Sequence, residues 1–75
     1  MKIIFSDHAN SQRVERKIPK RYILEAIKNP EYILKSFKNR RLLQKQFDGK
    51  MLEVVVIKED DILTIVTQYW LEEES

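Results

Sequence analysis

The chain has 75 residues, a formal net charge of +2 and no cysteine. This length predicts one domain over residues 1–75, without room for a second core. The lack of cysteine excludes a disulfide framework and a thiolate zinc site. The longest apolar run, residues 54–57, is too short to cross a bilayer and the N-terminus lacks a long apolar segment, so we expect a soluble, cytoplasmic protein without a membrane partner.

The charge is distributed unevenly along the chain. Residues 1–50 contain 13 Lys and Arg against five Asp and Glu, whereas residues 51–75 contain one against seven. Such a division indicates a surface that faces a polyanion. The alternative is that Lys and Glu simply solvate a small domain.

The first part of the chain predicts a strand and two helices. Residues 2–5 form a β-prone run, and Ser6 or Asp7 can cap a helix that begins near His8 and ends near Arg16. That helix has few apolar residues and must be held by tertiary contacts. A second, amphipathic helix begins near Pro19 and ends before residue 30, also a proline.

The rest of the chain predicts four strands separated by turn residues. The β-prone runs cover residues 32–37, 40–47, 52–57 and 62–70, and an acidic tail follows. Asp48-Gly49 is the strongest turn signal, because a tight hairpin needs positive φ. The predicted fold is therefore α+β, in the order β-α-α-β-β-β-β, with two helices packed on one face of a twisted antiparallel sheet. We expect the functional site on the opposite face.

The order of these motifs resembles a bacterial and archaeal family, classed as a domain of unknown function, that is similar to the RelE, ParE and BrnT toxins. The residues that carry the resemblance are Phe5-Ser6-Asp7-His8-Ala9, Arg16, Ile18, Asn29-Pro30-Glu31, Arg40-Arg41-Leu42, Lys45, Gly49, Val54-Val55-Val56, Thr67 and Tyr69-Trp70. The chain departs from the family pattern four residues after the histidine, where Gln12 stands in place of an arginine. This departure puts catalysis, rather than the fold, in question.

The resemblance implies a toxin-like domain that cleaves messenger RNA without a metal, on or off the ribosome. Proton transfer and phosphate binding are the roles that such cleavage needs. His8 is the candidate for proton transfer, since its pKa is ordinarily near neutral. Arg16 and Arg41 are candidates for holding phosphate oxygens, Lys45 for a further charge or a base, and Tyr69 for stacking or proton donation.

Three further residues are candidates for RNA binding, namely Arg13, Arg40 and Thr67. Each candidate also has a structural interpretation. The histidine can serve as a capping residue, the helix arginines as a solvated surface, and the strand cations as protection of a sheet edge. Tyr69 and Trp70 can belong to the core or to a partner interface.

The resemblance implies two partners, messenger RNA and a cognate antitoxin protein. A second copy of the chain in a homodimer is a further expected partner, since a core this small needs good packing or a partner chain. With one histidine and scattered carboxylates, neither a metal site nor a cofactor is expected. The alternative function is a non-catalytic module that binds nucleic acid or protein through the same basic surface, and Gln12 favours it. A third interpretation is a small structural protein whose sheet edge or acidic tail joins an assembly.

Overall fold

The computed structural model describes residues 1–36 and 38–71, which form two helices and five strands. The elements are β1 (Lys2–Phe5), α1 (Asp7–Glu15), α2 (Lys20–Lys28), β2 (Tyr32–Lys35), β3 (Arg40–Phe47), β4 (Lys50–Glu59) and β5 (Ile62–Leu71). The predicted order of strands and helices is confirmed. The predicted end of β2 at Phe37 and the acidic tail, residues 72–74, lie outside the described residues.

The sheet is mixed, and the prediction of a wholly antiparallel sheet was wrong at one edge. The strand order is β1-β5-β4-β3-β2. β1 runs parallel to β5, while the other neighbouring pairs are antiparallel. A parallel pair needs a long connection, and here two helices and three strands separate the two members. The first and last strands are therefore neighbours at one side of the sheet.

Helix α1 is held at both ends by specific hydrogen bonds. The Ser6 hydroxyl accepts a bond of 3.0 Å from the Ala9 N–H, which is a normal N-cap. At the other end, the Ile18 N–H donates to the Arg13 carbonyl and Lys17 has a φ of 56°. These features make a Schellman motif with a lysine in the left-handed position that usually favours glycine. Capping thus compensates for the weak amphipathicity of α1.

Helix α2 is held instead by its apolar face. Ile23 and Ala26 are fully buried against the sheet. The helix begins after Pro19, which occupies the N-cap position, and ends at Asn29, where φ is −135°. The proline that follows Asn29 disfavours helical angles there. The predicted bounds of α2 agree with the structure.

Both helices pack on the same side of the sheet around the middle strand. Leu52, Val54 and Val56 of β4 share one core cluster with the buried residues of α1 and α2. At one end of this core, Tyr22 stacks on Phe47 with ring centroids 4.3 Å apart. The predicted packing of two helices on one face is confirmed. In the described part of the chain, no helix is both long enough and apolar enough to span a membrane.

The hairpin between β3 and β4 sets the register of the central strands. Asp48 and Gly49 have φ values of 52° and 83°, so both residues have the positive φ of the tight turn that the sequence predicted. This turn places Gln44 opposite Glu53 and Arg41 opposite Val56. It thereby determines which polar side chains of the two strands become neighbours.

Candidate functional site

A cavity of about 240 Å³ lies at the end of the sheet where β2 turns into β3. Five of its seven lining residues are cationic. The residues that define this basic cavity are Lys35, Ser36, Lys38, Asn39, Arg40, Arg41 and Lys58. The long basic side chains surround an open space.

Strand register explains why the cations of the basic cavity gather there. Lys35 lies opposite Arg41, which in turn lies opposite the core residue Val56. Lys58 follows Val56 by two positions, so the period of two directs it to the same side of the sheet. Three cations therefore project on the helix-bearing side, whereas the sequence placed the functional site on the other face.

The basic cavity concentrates positive charge without a matching negative charge. Lys35 and Arg41 are directly opposite each other across two strands, an arrangement that is normally destabilising. Within residues 1–36 and 38–71, one ion pair is found, between the Met1 amino group and Asp61 at 3.9 Å. It involves none of the cations of the basic cavity. An anion placed between the five cations would relieve their repulsion.

A second polar group lies on the face of the sheet that carries no helix. We call it the Glu53 cluster, and it consists of Gln44, Glu53 and Tyr69, which form one row across β3, β4 and β5. The Gln44 amide donates to one carboxyl oxygen of Glu53 at 2.7 Å, and the Tyr69 hydroxyl donates to the other. Glu53 is 6% exposed, so its neighbours replace the water that a carboxyl group needs.

Burial, reinforced by the hydrogen bond to Glu53 and by that residue's charge, raises the pKa of Tyr69 from 10.0 to about 12. The positive charge of Arg16 acts against this rise in the pKa of Tyr69, and its guanidinium donates to the carbonyl of the preceding residue, Gln68. At neutral pH the phenol of Tyr69 remains protonated and continues to donate to Glu53. This arrangement suits a fixed hydrogen bond better than proton transfer.

Arg16 reaches this area because β1 is shorter than β5. β1 pairs with β5 only as far as Ile65, which leaves the later carbonyls of β5 without a strand partner on that side. The Ser6 hydroxyl donates to the Val66 carbonyl at 3.2 Å, and the Arg16 guanidinium donates to the Gln68 carbonyl at 2.8 Å. Side chains at the two ends of α1 therefore cover part of this strand edge.

The five residues predicted as catalytic occupy several places. Arg16 and Tyr69 are neighbours, as described above, while Arg41 lies in the basic cavity. His8 is exposed in the first turn of α1, two turns or about 12 Å along the helix from Arg16. Lys45 donates to the Asn29 carbonyl at 3.0 Å and so caps α2. The structure does not bring these five side chains together around one phosphate.

The three residues predicted to bind RNA are also dispersed. Arg13 donates to the Asn10 side chain at 3.0 Å and lies over the ring of Phe5, so it serves as a surface contact of α1. Arg40 lines the basic cavity. Thr67 lies opposite Val55 in the middle of the sheet. Of the three, only Arg40 contributes to the cationic group.

Sequence reasoning missed several residues of these two sites. They are Lys35, Lys38 and Lys58 in the basic cavity, and Gln44 and Glu53 in the Glu53 cluster. A signal was present, because the Asp48-Gly49 turn fixes the pairing of β3 with β4 and hence the neighbours of Glu53 and Lys58. Among the residues that the structure describes, no three His, Asp or Glu side chains lie close enough to hold a metal ion.

Comparison with known proteins adds a family to this geometry. A family model described as "Domain of unknown function (DUF4258)" matches residues 5–70. The chain belongs to this family. The predicted membership of a domain family without an assigned function is thus confirmed, and the similarity to the RelE, ParE and BrnT toxins stays a prediction. Searches of the curated proteins and of the solved structures each found no match.

Proposed function

We propose that this protein binds RNA through the basic cavity as a non-catalytic module. The observation that carries the proposal is the group of five cations around one cavity, without a carboxylate partner in the described part of the chain. Lys and Arg side chains held in this way bind phosphate groups, and the guanidinium groups of Arg40 and Arg41 can each contact two phosphate oxygens. Such contacts give affinity that does not depend on base sequence.

The lining of the basic cavity supports binding more strongly than cleavage. Its lining consists of lysines, arginines, a serine and an asparagine, without the histidine or carboxylate that most often transfers protons in general acid–base catalysis. The preference for RNA over other polyanions rests on the resemblance to the RelE, ParE and BrnT toxins. The excess of basic residues ahead of residue 50 provides a wider positive field for the same ligand.

Metal-independent cleavage of messenger RNA, on or off the ribosome, is the second proposal. One observation favours it, namely that Arg16 and Tyr69, both predicted as catalytic, are neighbours at the edge of β5. In this proposal the Arg16 guanidinium, which donates to the Gln68 carbonyl of β5, also contacts a phosphate of the substrate. In this proposal a cognate antitoxin protein with an acidic or amphipathic segment covers the basic surface.

The test of RNA binding compares two variants with equal loss of charge. The cavity variant carries Arg40→Gln, Arg41→Gln and Lys58→Gln, and the control carries Lys2→Gln, Lys17→Gln and Lys50→Gln. Fluorescence anisotropy with a short single-stranded RNA should give a Kd for the cavity variant that is more than about tenfold higher than that of the control. The reason is that each lost phosphate contact removes part of the electrostatic free energy of binding. Equal weakening of the two variants would show that the affinity comes from general charge and refute the cavity.

The test of cleavage uses the same proteins in a translation extract with mapping of messenger RNA ends. Binding without cleavage predicts no new 5′ ends with the wild-type chain. New 5′ ends that disappear with Arg16→Gln, in a variant whose circular dichroism is that of the wild type, would establish the second proposal in place of the first.

A further inference from the structure

Strand β2 forms an edge of the sheet and is unusually apolar for an exposed strand. Tyr32, Ile33 and Leu34 are 55%, 59% and 46% exposed. β2 pairs with β3 on one side and has no strand on the other side among the described residues. Proteins generally protect such edges with charges, prolines or covering segments, because a free edge pairs with other strands. β2 has one charged residue, Lys35, at its end.

The hydrogen-bond pattern of the β2–β3 pair shows which backbone groups of β2 are free. The Ser36 N–H donates to the Arg40 carbonyl at 3.1 Å, so these two residues form a hydrogen-bonded pair. Pairing alternates along an antiparallel ladder, which directs the backbone groups of Leu34 and Tyr32 toward β3. The N–H and C=O of Ile33, between them, consequently point away from the sheet.

The residues that flank Ile33 make the strand complementary to itself. Glu31 precedes Ile33 by two positions and Lys35 follows it by two, and both are exposed. Glu31 precedes the first residue of β2, and its N–H donates to the Gln44 carbonyl at 2.8 Å, so its backbone belongs to the contact with β3. Its exposed side chain, rather than its backbone, can meet Lys35 of the other copy when two identical strands pair antiparallel about Ile33. A two-fold axis then brings opposite charges together twice, which favours this register over its neighbours.

We propose that β2 pairs with β2 of a second copy of this chain, antiparallel and centred on Ile33, to form a continuous ten-stranded sheet. The two Ile33 residues exchange both backbone hydrogen bonds at the axis. On the helix-free face, Tyr32 packs against Leu34 of the partner subunit. The pair adds burial of three large apolar side chains per copy, which a chain of this size needs for stability.

The other side of the sheet supports the choice of β2 as the interface. There, Ser6 and Arg16 donate to carbonyls of β5 and cover part of the edge that β1 leaves open. β1 itself exposes less apolar surface, since Ile3 and Phe5 pack against the core. β2 has no comparable cover in the described residues. Lys35 is the one cation that belongs to both the basic cavity and the proposed β2 interface. Dimerisation therefore leaves the other four cations of the cavity free, namely Lys38, Arg40, Arg41 and Lys58.

A cysteine test measures the register directly, since the natural chain contains no cysteine. In the proposed pair the Cα atoms of the two Ile33 residues lie about 5.5 Å apart, within the range of a disulfide. The two Leu34 residues lie diagonally, about 7–8 Å apart, which is too far. In a glutathione redox buffer, Ile33→Cys should form a covalent dimer at least about tenfold more readily than Leu34→Cys. Equal or absent crosslinking of both would refute the register.

A charge-exchange test measures the solution mass of the chain by light scattering after gel filtration. The wild-type chain should have twice its 9.1 kDa mass at micromolar concentration. Lys35→Glu alone and Glu31→Lys alone should each raise the dimer Kd roughly tenfold, because each places like charges opposite each other twice. An equimolar mixture of the two variants should recover the dimer. In the mixed dimer, one copy has glutamate at positions 31 and 35 and the other has lysine at both, so the facing charges are again opposite.

Glu31 also accepts a bond of 2.6 Å from the Gln46 N–H, so Lys35→Glu, which leaves that bond intact, decides this test. Ile33→Pro removes an N–H that points away from β3 and should give a folded monomer by circular dichroism and mass. A wild-type monomer at several hundred micromolar, a Lys35→Glu variant that dimerises as tightly as the wild type, or an Ile33→Pro dimer would each overturn the proposal. None of these measurements depends on RNA binding.

Discussion

The basic cavity and the Glu53 cluster are both polar regions built by neighbouring strands, yet their groups are satisfied in opposite ways. In the Glu53 cluster, a carboxyl group with 6% exposure accepts bonds from Gln44 and Tyr69. In the basic cavity, five cations lie together, and none of them forms an ion pair with a carboxylate of the described residues. The comparison separates polar groups that stabilise the fold from charges that remain available to a ligand.

Removal of the buried carboxyl group should have the largest effect on stability. Glu53→Ala leaves the Tyr69 hydroxyl and the Gln44 amide without their acceptor, at a cost of about 3 kcal/mol. That is a large part of the roughly 4–11 kcal/mol expected for a chain of this length. Urea unfolding followed by circular dichroism would measure it. Glu59→Ala, on the exposed end of the same strand, is the control and should change stability by less than about 0.5 kcal/mol.

Tyr69→Phe should have an intermediate effect that depends on pH. Loss of the hydroxyl removes one bond to a buried carboxyl group, which is worth about 1–2 kcal/mol near neutral pH. The pKa of Tyr69 is raised in the folded state to about 12, so its contribution is complete below pH 10 and is lost as pH rises toward 12. Wild type and variant should therefore converge in stability over that interval. If the difference in stability between wild type and Tyr69→Phe stayed constant over this pH interval, it would not come from the hydrogen bond of the hydroxyl.

Features that depend on local sequence were predictable in this protein, whereas those that depend on distant strands were not. The Asp48-Gly49 turn and the α2 helix were predictable, because positive φ and a helical apolar period are local properties. The burial of Glu53 was predictable only in part, since the turn places Gln44 beside it but its other partner, Tyr69, lies on β5, whose register no local signal sets. The parallel position of β1 was missed for the same reason, as a short apolar strand does not specify its neighbour.

Lys45 shows the same limit for the candidate site. A lysine on a basic strand suggests phosphate binding, but Lys45 donates instead to the Asn29 carbonyl at the end of α2. No sequence pattern predicts that this carbonyl lies beside β3. Lys45→Met should destabilise the fold by about 0.5–1 kcal/mol through loss of this cap. The Kd for RNA should stay within about twofold of the wild type. A large loss of RNA affinity in this variant would assign Lys45 to the binding surface.

The smallest effect on stability is expected in the basic cavity, with the opposite sign. Arg41→Gln removes the like charge opposite Lys35 and should leave stability unchanged or raise it by about 0.3 kcal/mol. The same change should weaken RNA binding several-fold. Thermal unfolding and anisotropy on one preparation would test both. A clear loss of stability would mean that Arg41 has a structural partner.

The most direct test of RNA binding by the basic cavity is the salt dependence of the Kd. For a single-stranded RNA, the slope of log K against log salt concentration changes by about 0.7 for each phosphate contact that is lost. The Arg40→Gln, Arg41→Gln, Lys58→Gln variant should therefore have a slope about 2 units shallower than the wild type. The Lys2→Gln, Lys17→Gln, Lys50→Gln control should run parallel to the wild type. A cavity variant whose slope equals that of the wild type would contradict the proposed binding site.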